Sequence, residues 1–215
     1  MNLSKKLGIL LFAGALALTV PLASLSAGDD APTLIQRSYD LEAAAKYTES
    51  LAALDQLPAS YSTSFVMQLR RGWLLYLLAR YDDSTAAYRK ATALEPASIE
   101  AHLGASRSLL AVRKWADAEK ECREVLARDT WNYYGASRLA FALYSLGRFA
   151  DALPYYKKMV ELYPSDVEMR NGVGWTQVKL GDASSAAKSF RAVLDFAPRN
   201  ASAQEGLKAA GIVKP

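Results

Sequence analysis

The side chains able to do chemistry in this chain are few and scattered. His102 is the only histidine, so no histidine-based triad network and no multi-histidine metal site can be assembled. Cys122 is the only cysteine, which removes both an internal disulfide and any paired-cysteine zinc spacing. Asp117, Glu119 and Glu121 are close in sequence, but on a helix they read as solvating groups on exposed faces. Glycine-rich phosphate loops and a serine nucleophile elbow are both missing. These absences predict no catalytic residue, no metal and no cofactor. What does recur is a set of recognition side chains. Tyr39, Trp73, Arg107, Phe141 and Trp175 follow one another at steps of 34, and Tyr76 and Tyr144 lie one helical turn further on. Aromatic rings and arginine are the types enriched in binding hot spots, and a guanidinium stacks readily on a ring. The chemistry on offer is binding rather than reaction.

The same step of 34 runs through the rest of the chain. Tyr47, Tyr81, Trp115 and Phe149 form an aromatic column, broken by Ala183. Ser50, Ser84, Ala118, Ala152 and Ala186 are small, and Leu54, Tyr88, Cys122, Tyr156 and Phe190 are larger. A period in this range denotes stacked supersecondary units whose apolar faces are covered only by their neighbours. Phasing on Pro96, Pro164 and Pro198 gives units 31–64, 65–98, 99–132, 133–166 and 167–200. Within a unit the apolar spacing is helical. Leu139, Ala140, Leu143 and Leu146 make one stripe, ended by Gly147 in a cap position. Phe149, Ala152, Leu153, Tyr156 and Val160 make a second stripe that stops before Pro164. Each unit is therefore helix, tight turn, helix. The small column marks close helix crossings, matched by Ser38, Gly72, Ser106, Ala140 and Gly174 on the first helices. Cys122 shares a column with large apolar residues, which predicts a buried and inert thiol. Residues 201–215 read as a C-terminal cap, a helix stopped by Gly211.

A small residue at Gly72 or Gly174, the aromatic after the turn, the alanines, Tyr88 or Phe190 and the closing prolines together resemble the tetratricopeptide repeat (TPR). The resemblance covers 65–200 well and weakens over 31–64, where Pro58 cuts the second helix short. It implies an all-α fold, a right-handed α-solenoid of five helix-turn-helix units with a C-terminal capping helix, whose first helices line a concave groove. It also implies that the column of Tyr39, Trp73, Arg107, Phe141 and Trp175 points into that groove. Tyr76, Tyr144 and Asn171 join it, flanked by Tyr134, Glu100 and Glu168. The competing reading is that these rings thicken the core between helix pairs. Some TPR domains hold a peptide's terminal carboxylate with lysine, arginine and asparagine. Only Asn171, Lys179 and Arg107 correspond here.

At the N-terminus, Lys5 and Lys6 precede an apolar run from Leu7 to Val20, then Pro21 and the small residues Ser24, Ser26 and Ala27. That order describes a secretory signal peptide over residues 1–27. The alternative is an uncleaved anchor in the inner membrane, although an unbroken run from 7 to 20 is short for a bilayer that needs about 20 residues. The full chain carries 26 − 22 = +4. Removing 1–27 takes away two lysines and no acid, leaving 24 − 22 = +2. No concentrated basic face remains for nucleic acid. The expected molecule is a single solenoid domain over 28–215, exported to a bacterial periplasm. It is expected to serve as a non-enzymatic scaffold that binds an extended segment of a protein or peptide partner, with no membrane insertion once the signal is cleaved. A small-ligand or glycan-binding module using the same aromatics is the alternative.

Overall fold

A computed structural model describes residues 29–211, and those from Ala31 onward form one compact unit. The N-terminal segment read as a signal peptide and the last four residues of the cap lie outside the described residues. Twelve helices and no strand occur among the described residues. They are α1 (Ala31–Ala43), α2 (Tyr47–Asp55), α3 (Ala59–Ser62), α4 (Phe65–Leu77), α5 (Tyr81–Leu94), α6 (Ile99–Ala111), α7 (Trp115–Arg128), α8 (Tyr133–Ser145), α9 (Phe149–Leu162), α10 (Val167–Lys179), α11 (Ala183–Phe196) and α12 (Ala201–Ala209). As Pro58 foretells, α2 has 9 residues where α5 has 14, and the one-turn α3 completes the unit.

Two columns set the helix ends. The residue before each of α4, α6, α8, α10 and α12 is Ser64, Ser98, Asn132, Asp166 or Asn200, and its side chain accepts a hydrogen bond from the backbone N–H three residues on. Each such cap stabilises its helix by about 1 kcal/mol. At the turn, Ala45, Ala79, Arg113, Gly147 and Gly181 all have φ between 56° and 79°. The next N–H then reaches back five residues, as in Arg148 to Leu143 at 2.9 Å and Lys114 to Leu109 at 2.9 Å. This is the left-handed closure that satisfies the last carbonyls of a helix.

Consecutive helices pack side by side along the whole stack. From α4 onward the first helices also touch one another directly, α4 to α6, α6 to α8, α8 to α10 and α10 to α12, while successive second helices make no comparable contact. The first helices are thus the inner layer. Between layers, Ala118, Ala152 and Ala186 are fully buried, as are Ser106 and Ala140 of the matching small column. Where the small residue is serine, its hydroxyl also finds a partner. Ser84 Oγ donates to the Gly72 carbonyl at 2.7 Å, and Ser50 Oγ to that of Ser38 at 2.7 Å. Cys122 is fully buried, and burial pushes its thiol up to about 12.

Two kinds of junction occur along the stack, alternating over the first four and ending on two of the aromatic kind in succession. In one, an aromatic of a second helix lies on a glycine of the next first helix. A Cβ on Gly104 would come within 2.2 Å of the Tyr88 ring, one on Gly172 within 2.4 Å of Tyr156, and one on Gly206 within 2.2 Å of Phe190. In the other, the second-helix residue is the smaller Leu54 or Cys122, and an arginine stands where the glycine was, Arg70 or Arg138. A serine accompanies it. Arg70 Nη2 donates to Ser38 Oγ at 2.8 Å, and Arg138 Nη1 to Ser106 Oγ at 3.3 Å and the Leu103 carbonyl at 2.7 Å.

Candidate partner-binding groove

Because the first helices form the inner layer, residues two, five and nine of each unit share one face of the stack. Tyr39 and Phe141 are 47% and 46% exposed, which places them on a surface and not in the core. Trp73, Arg107 and Trp175 are half-buried. Each member of the column is held from one side. The Arg70 guanidinium lies 3.5 Å from the centre of the Tyr39 ring, and Arg107 lies 4.5 Å from Trp73 and 4.3 Å from Tyr76. Trp73 stacks on Tyr76 at 6.0 Å, and its indole N–H donates to Glu42 at 2.6 Å. Phe141 meets Trp115 edge-on at 5.6 Å, and Trp175 meets Phe190 at 5.4 Å.

The face is not one even trough, as the regular column implies, but two depressions. The first, about 1250 Å³, is lined by Tyr39, Trp73 and Arg107 together with Arg70, Arg138 and Tyr134. The second, about 640 Å³, is lined by Phe141, Tyr144, Asn171, Trp175 and Glu168. Tyr76 lines neither. It is wedged between Trp73 and Tyr81, a support for the groove wall. Arg138 lines both the first depression and a smaller hollow of about 280 Å³ that it shares with Phe141 and Glu168.

Arg70 and Arg138 were not among the residues singled out from sequence, yet they shape this face. Arg70 has a carboxylate partner, Glu42, at 2.8 Å. The position equivalent to Glu42 two repeats further along, at the second arginine junction, is Leu110, and Arg138 hydrogen-bonds only a carbonyl and a hydroxyl. Burial lowers the Arg138 guanidinium from its ordinary value, and the charge of Arg107 adds to the effect.

The carboxylate-holding arrangement fails on geometry at Asn171. This side chain is only 8% exposed, and its Nδ2 donates to Asn200 Oδ1 at 3.2 Å, while that oxygen also caps α12 through Ala203 N at 2.8 Å. One N–H of the amide is thereby engaged, and the Asn171 Oδ1 is buried without a hydrogen-bond partner in the wall of the second depression. His102 is buried, with Nδ1 at 2.7 Å from Glu121 and Nε2 at 3.0 Å from the Pro96 carbonyl, so both ring nitrogens are used inside the fold. The acidic stretch corrects its expectation. Glu119 is not a solvated group but has a side chain only 13% exposed, gripped by Arg123 at 2.8 Å and by Arg148 of the next unit at 2.9 Å. Burial works to raise its carboxyl, but the bonds from the two arginines outweigh that and hold it below the ordinary range. Glu121 is similarly enclosed beside His102.

Comparison with known proteins agrees with this architecture. The tetratricopeptide-repeat family model matches residues 103–167 and again 137–201, one repeat later. The chain is a tetratricopeptide-repeat protein. Among solved structures, this TPR stack superposes on MamA from Desulfovibrio magneticus RS-1 with a TM-score of 0.75 at 19% identity, covering 81% of this chain and 98% of that one. It also superposes on YrrB, a TPR protein with an unusual peptide-binding site, with a TM-score of 0.64 at 22% identity, covering 76% and 81%. At such identities the likeness is one of fold. Curated relatives include the CTR9 homolog of Arabidopsis thaliana, 27% identical over 62% of this chain, and the Hsp70-Hsp90 organizing protein of Triticum aestivum, 33% identical over 45%. The matched regions span only 12% and 16% of those two proteins.

Proposed function

We propose that this TPR protein is a non-catalytic adaptor that holds an extended segment of a partner protein along its inner face, and that it does so in the bacterial envelope. The observation that carries the first part is the exposure of Tyr39 and Phe141 on the layer of first helices, beside two depressions walled by Trp73, Arg107, Tyr144 and Trp175. Large apolar groups left open beside half-buried tryptophan and arginine have the composition of an interface centre. The peptide-binding site named for YrrB supports the same kind of use. The envelope assignment rests on the order of charged, apolar and small residues over 1–27. Among the described residues no helix is long and apolar enough to cross a membrane.

A photo-crosslinking residue at Phe141 in the full chain tests the groove. It should capture a defined stretch of one envelope protein, and the capture should fade when Tyr39 and Trp175 are both changed to alanine. Equal capture from Phe196, which is exposed at the far end of α11, would remove the groove assignment. Capture of glycan in place of protein would favour the small-ligand reading. Intact mass of periplasmic protein tests export. The expected start is Ala27 or Gly28, and a mass that retains residues 1–26 would mean an anchor.

A further inference from the structure

The C-terminal depression has a definite electrostatic character. Glu168, Asn171 and Trp175 fall at i, i+3 and i+7 on α10 and so share one face of that helix. Phe141 and Tyr144 close the depression from α8. Glu168 is the only charged residue in its wall, and among the described residues it forms no ion pair. Arg138 shares a smaller hollow with Glu168, but its guanidinium is directed to Leu103 and Ser106 instead. Asn171 supplies the decisive detail. Its Oδ1 is buried and no protein donor reaches it. Exchanging the amide oxygen and nitrogen does not resolve this, because Asn200 Oδ1 must accept from Ala203 N and therefore requires the Nδ2 of Asn171. The site thus presents a carboxylate without an ion-pair partner and a buried acceptor without a donor, among the rings of Phe141, Tyr144, Tyr156 and Trp175. Trp175 Nε1 donates to Ser202 Oγ at 2.9 Å.

We infer that this depression takes the ammonium group of a partner lysine. An ammonium is compact, carries three donors and no acceptor, and is attracted to ring faces. It can donate to Glu168 and Asn171 together while its methylene stem lies along Phe141 and Trp175. A carboxylate would meet Glu168 at close range, and an uncharged alkyl group would leave Asn171 Oδ1 unpaired. The inference rests on the groove reading and adds to it the identity of one recognised side chain.

The test uses the full mature chain and three capped peptides of sequence Pro-Ala-Pro-X-Pro-Ala-Pro, where X is lysine, norleucine or glutamate. The indole N–H resonances are followed during titration to 10 mM, with Trp175 and Trp73 assigned by single substitutions to phenylalanine. The lysine peptide should shift the Trp175 resonance with at least ten-fold tighter affinity than the norleucine peptide. Glu168→Gln, a near-isosteric change in the first turn of α10, should abolish most of that preference, and Glu168→Lys should transfer it to the glutamate peptide. Norleucine binding within two-fold of lysine, with Trp175 still shifting, would overturn the lysine site and leave the groove standing. A preference that survives in Glu168→Gln would overturn it equally. If none of the peptides moves Trp175 or Trp73, the lysine site and the groove reading both fall.

Discussion

The junction between the second and third repeats and the one between the third and fourth solve the same packing problem with opposite materials. At the first, Tyr88 spans the gap and Gly104 yields to it, so closely that even one methyl group would strike the ring. At the second, Cys122 leaves the gap open and Arg138 enters from the other side, ending on Ser106 and the Leu103 carbonyl. Volume is conserved across each junction, but its owner changes, and so does its chemistry. The aromatic junction puts an uncharged ring at the inner face, where Tyr88 lines the first depression and Tyr156 the second. The arginine junction threads a cation through the core and delivers it to the groove. Because Arg70 repeats the arrangement of Arg138, the first depression receives a guanidinium group from each of the two arginine junctions. The paired carboxylate at Arg70 and its absence at Arg138 then distinguish two junctions of the same kind.

If the two kinds are true alternatives, exchanging one member should be harmful and exchanging both should be tolerated. Gly104→Arg forces a long side chain against a ring that already occupies its space. It should destabilise at the upper end of the roughly 1–3 kcal/mol that overpacking costs. Tyr88→Cys in the same chain opens the gap, and the serine that accompanies arginine elsewhere can be added as Gly72→Ser. The combined variant should recover at least half of the loss, because residues in contact depart from additivity by about 0.5–3 kcal/mol. Urea melts of the single and combined variants measure this. Strict additivity would mean that the alternation in sequence carries no packing meaning.

A smaller effect is expected from the arginine side. Arg138→Ala leaves the Leu103 carbonyl and Ser106 with one fewer donor and opens a space beside Cys122, at a cost of about 1–2 kcal/mol. The thiol reports on this independently. Burial holds Cys122 at about 12, so at pH 8 it is a protonated thiol with no access and should not react with Ellman's reagent until the protein unfolds. Loss of Arg138 should admit water, let the thiol approach its ordinary range and make it react in the folded state. An unreactive thiol in a destabilised Arg138→Ala protein would mean that the core closes over the gap.

This alternation was available in the sequence but is easily missed, because column-by-column matching rewards sameness. Ser106 in a column with glycines reads as a departure from the repeat. It becomes regular only when Ser38, Leu54 and Arg70 are set beside Ser106, Cys122 and Arg138. The helix pairs, the capping helix and the burial of Cys122 follow directly from apolar periodicity, which reports on a helix's own face. The cap column of Ser64, Ser98, Asn132, Asp166 and Asn200 was equally legible, since each is a strong N-cap type ahead of an apolar stripe. Periodicity does not report which long side chain from the next repeat reaches across. Arg148 lies 29 residues from Glu119 and covers it, which turns a surface carboxylate into an enclosed one. For the same reason the even spacing of Tyr39, Trp73, Arg107, Phe141 and Trp175 gives no sign of the divide in the groove. Arg138, which lines both the first depression and the smaller hollow beside Glu168, belongs to a different column.

The smallest effect comes from the turns, which bound how far a junction's influence reaches. Ala79 precedes the aromatic junction and Arg113 the arginine junction, yet both take the left-handed conformation, with φ of 56° and 59°. Their repeats elsewhere carry Gly147 and Gly181 at the same place. A side chain with a Cβ is disfavoured there by roughly 1–2 kcal/mol, partly offset by the greater freedom glycine has in the unfolded chain. Ala79→Gly and Arg113→Gly should therefore each stabilise by about 0.5–1 kcal/mol. The two gains should be equal, because the hydrogen bonds that close the turns are the same, Arg80 to Leu75 and Lys114 to Leu109, both at 2.9 Å. Thermal melts of the two variants suffice. A gain at Ala79 without one at Arg113 would show that the arginine junction strains the turn before it, and the two kinds of junction would then differ in backbone as well as in filling.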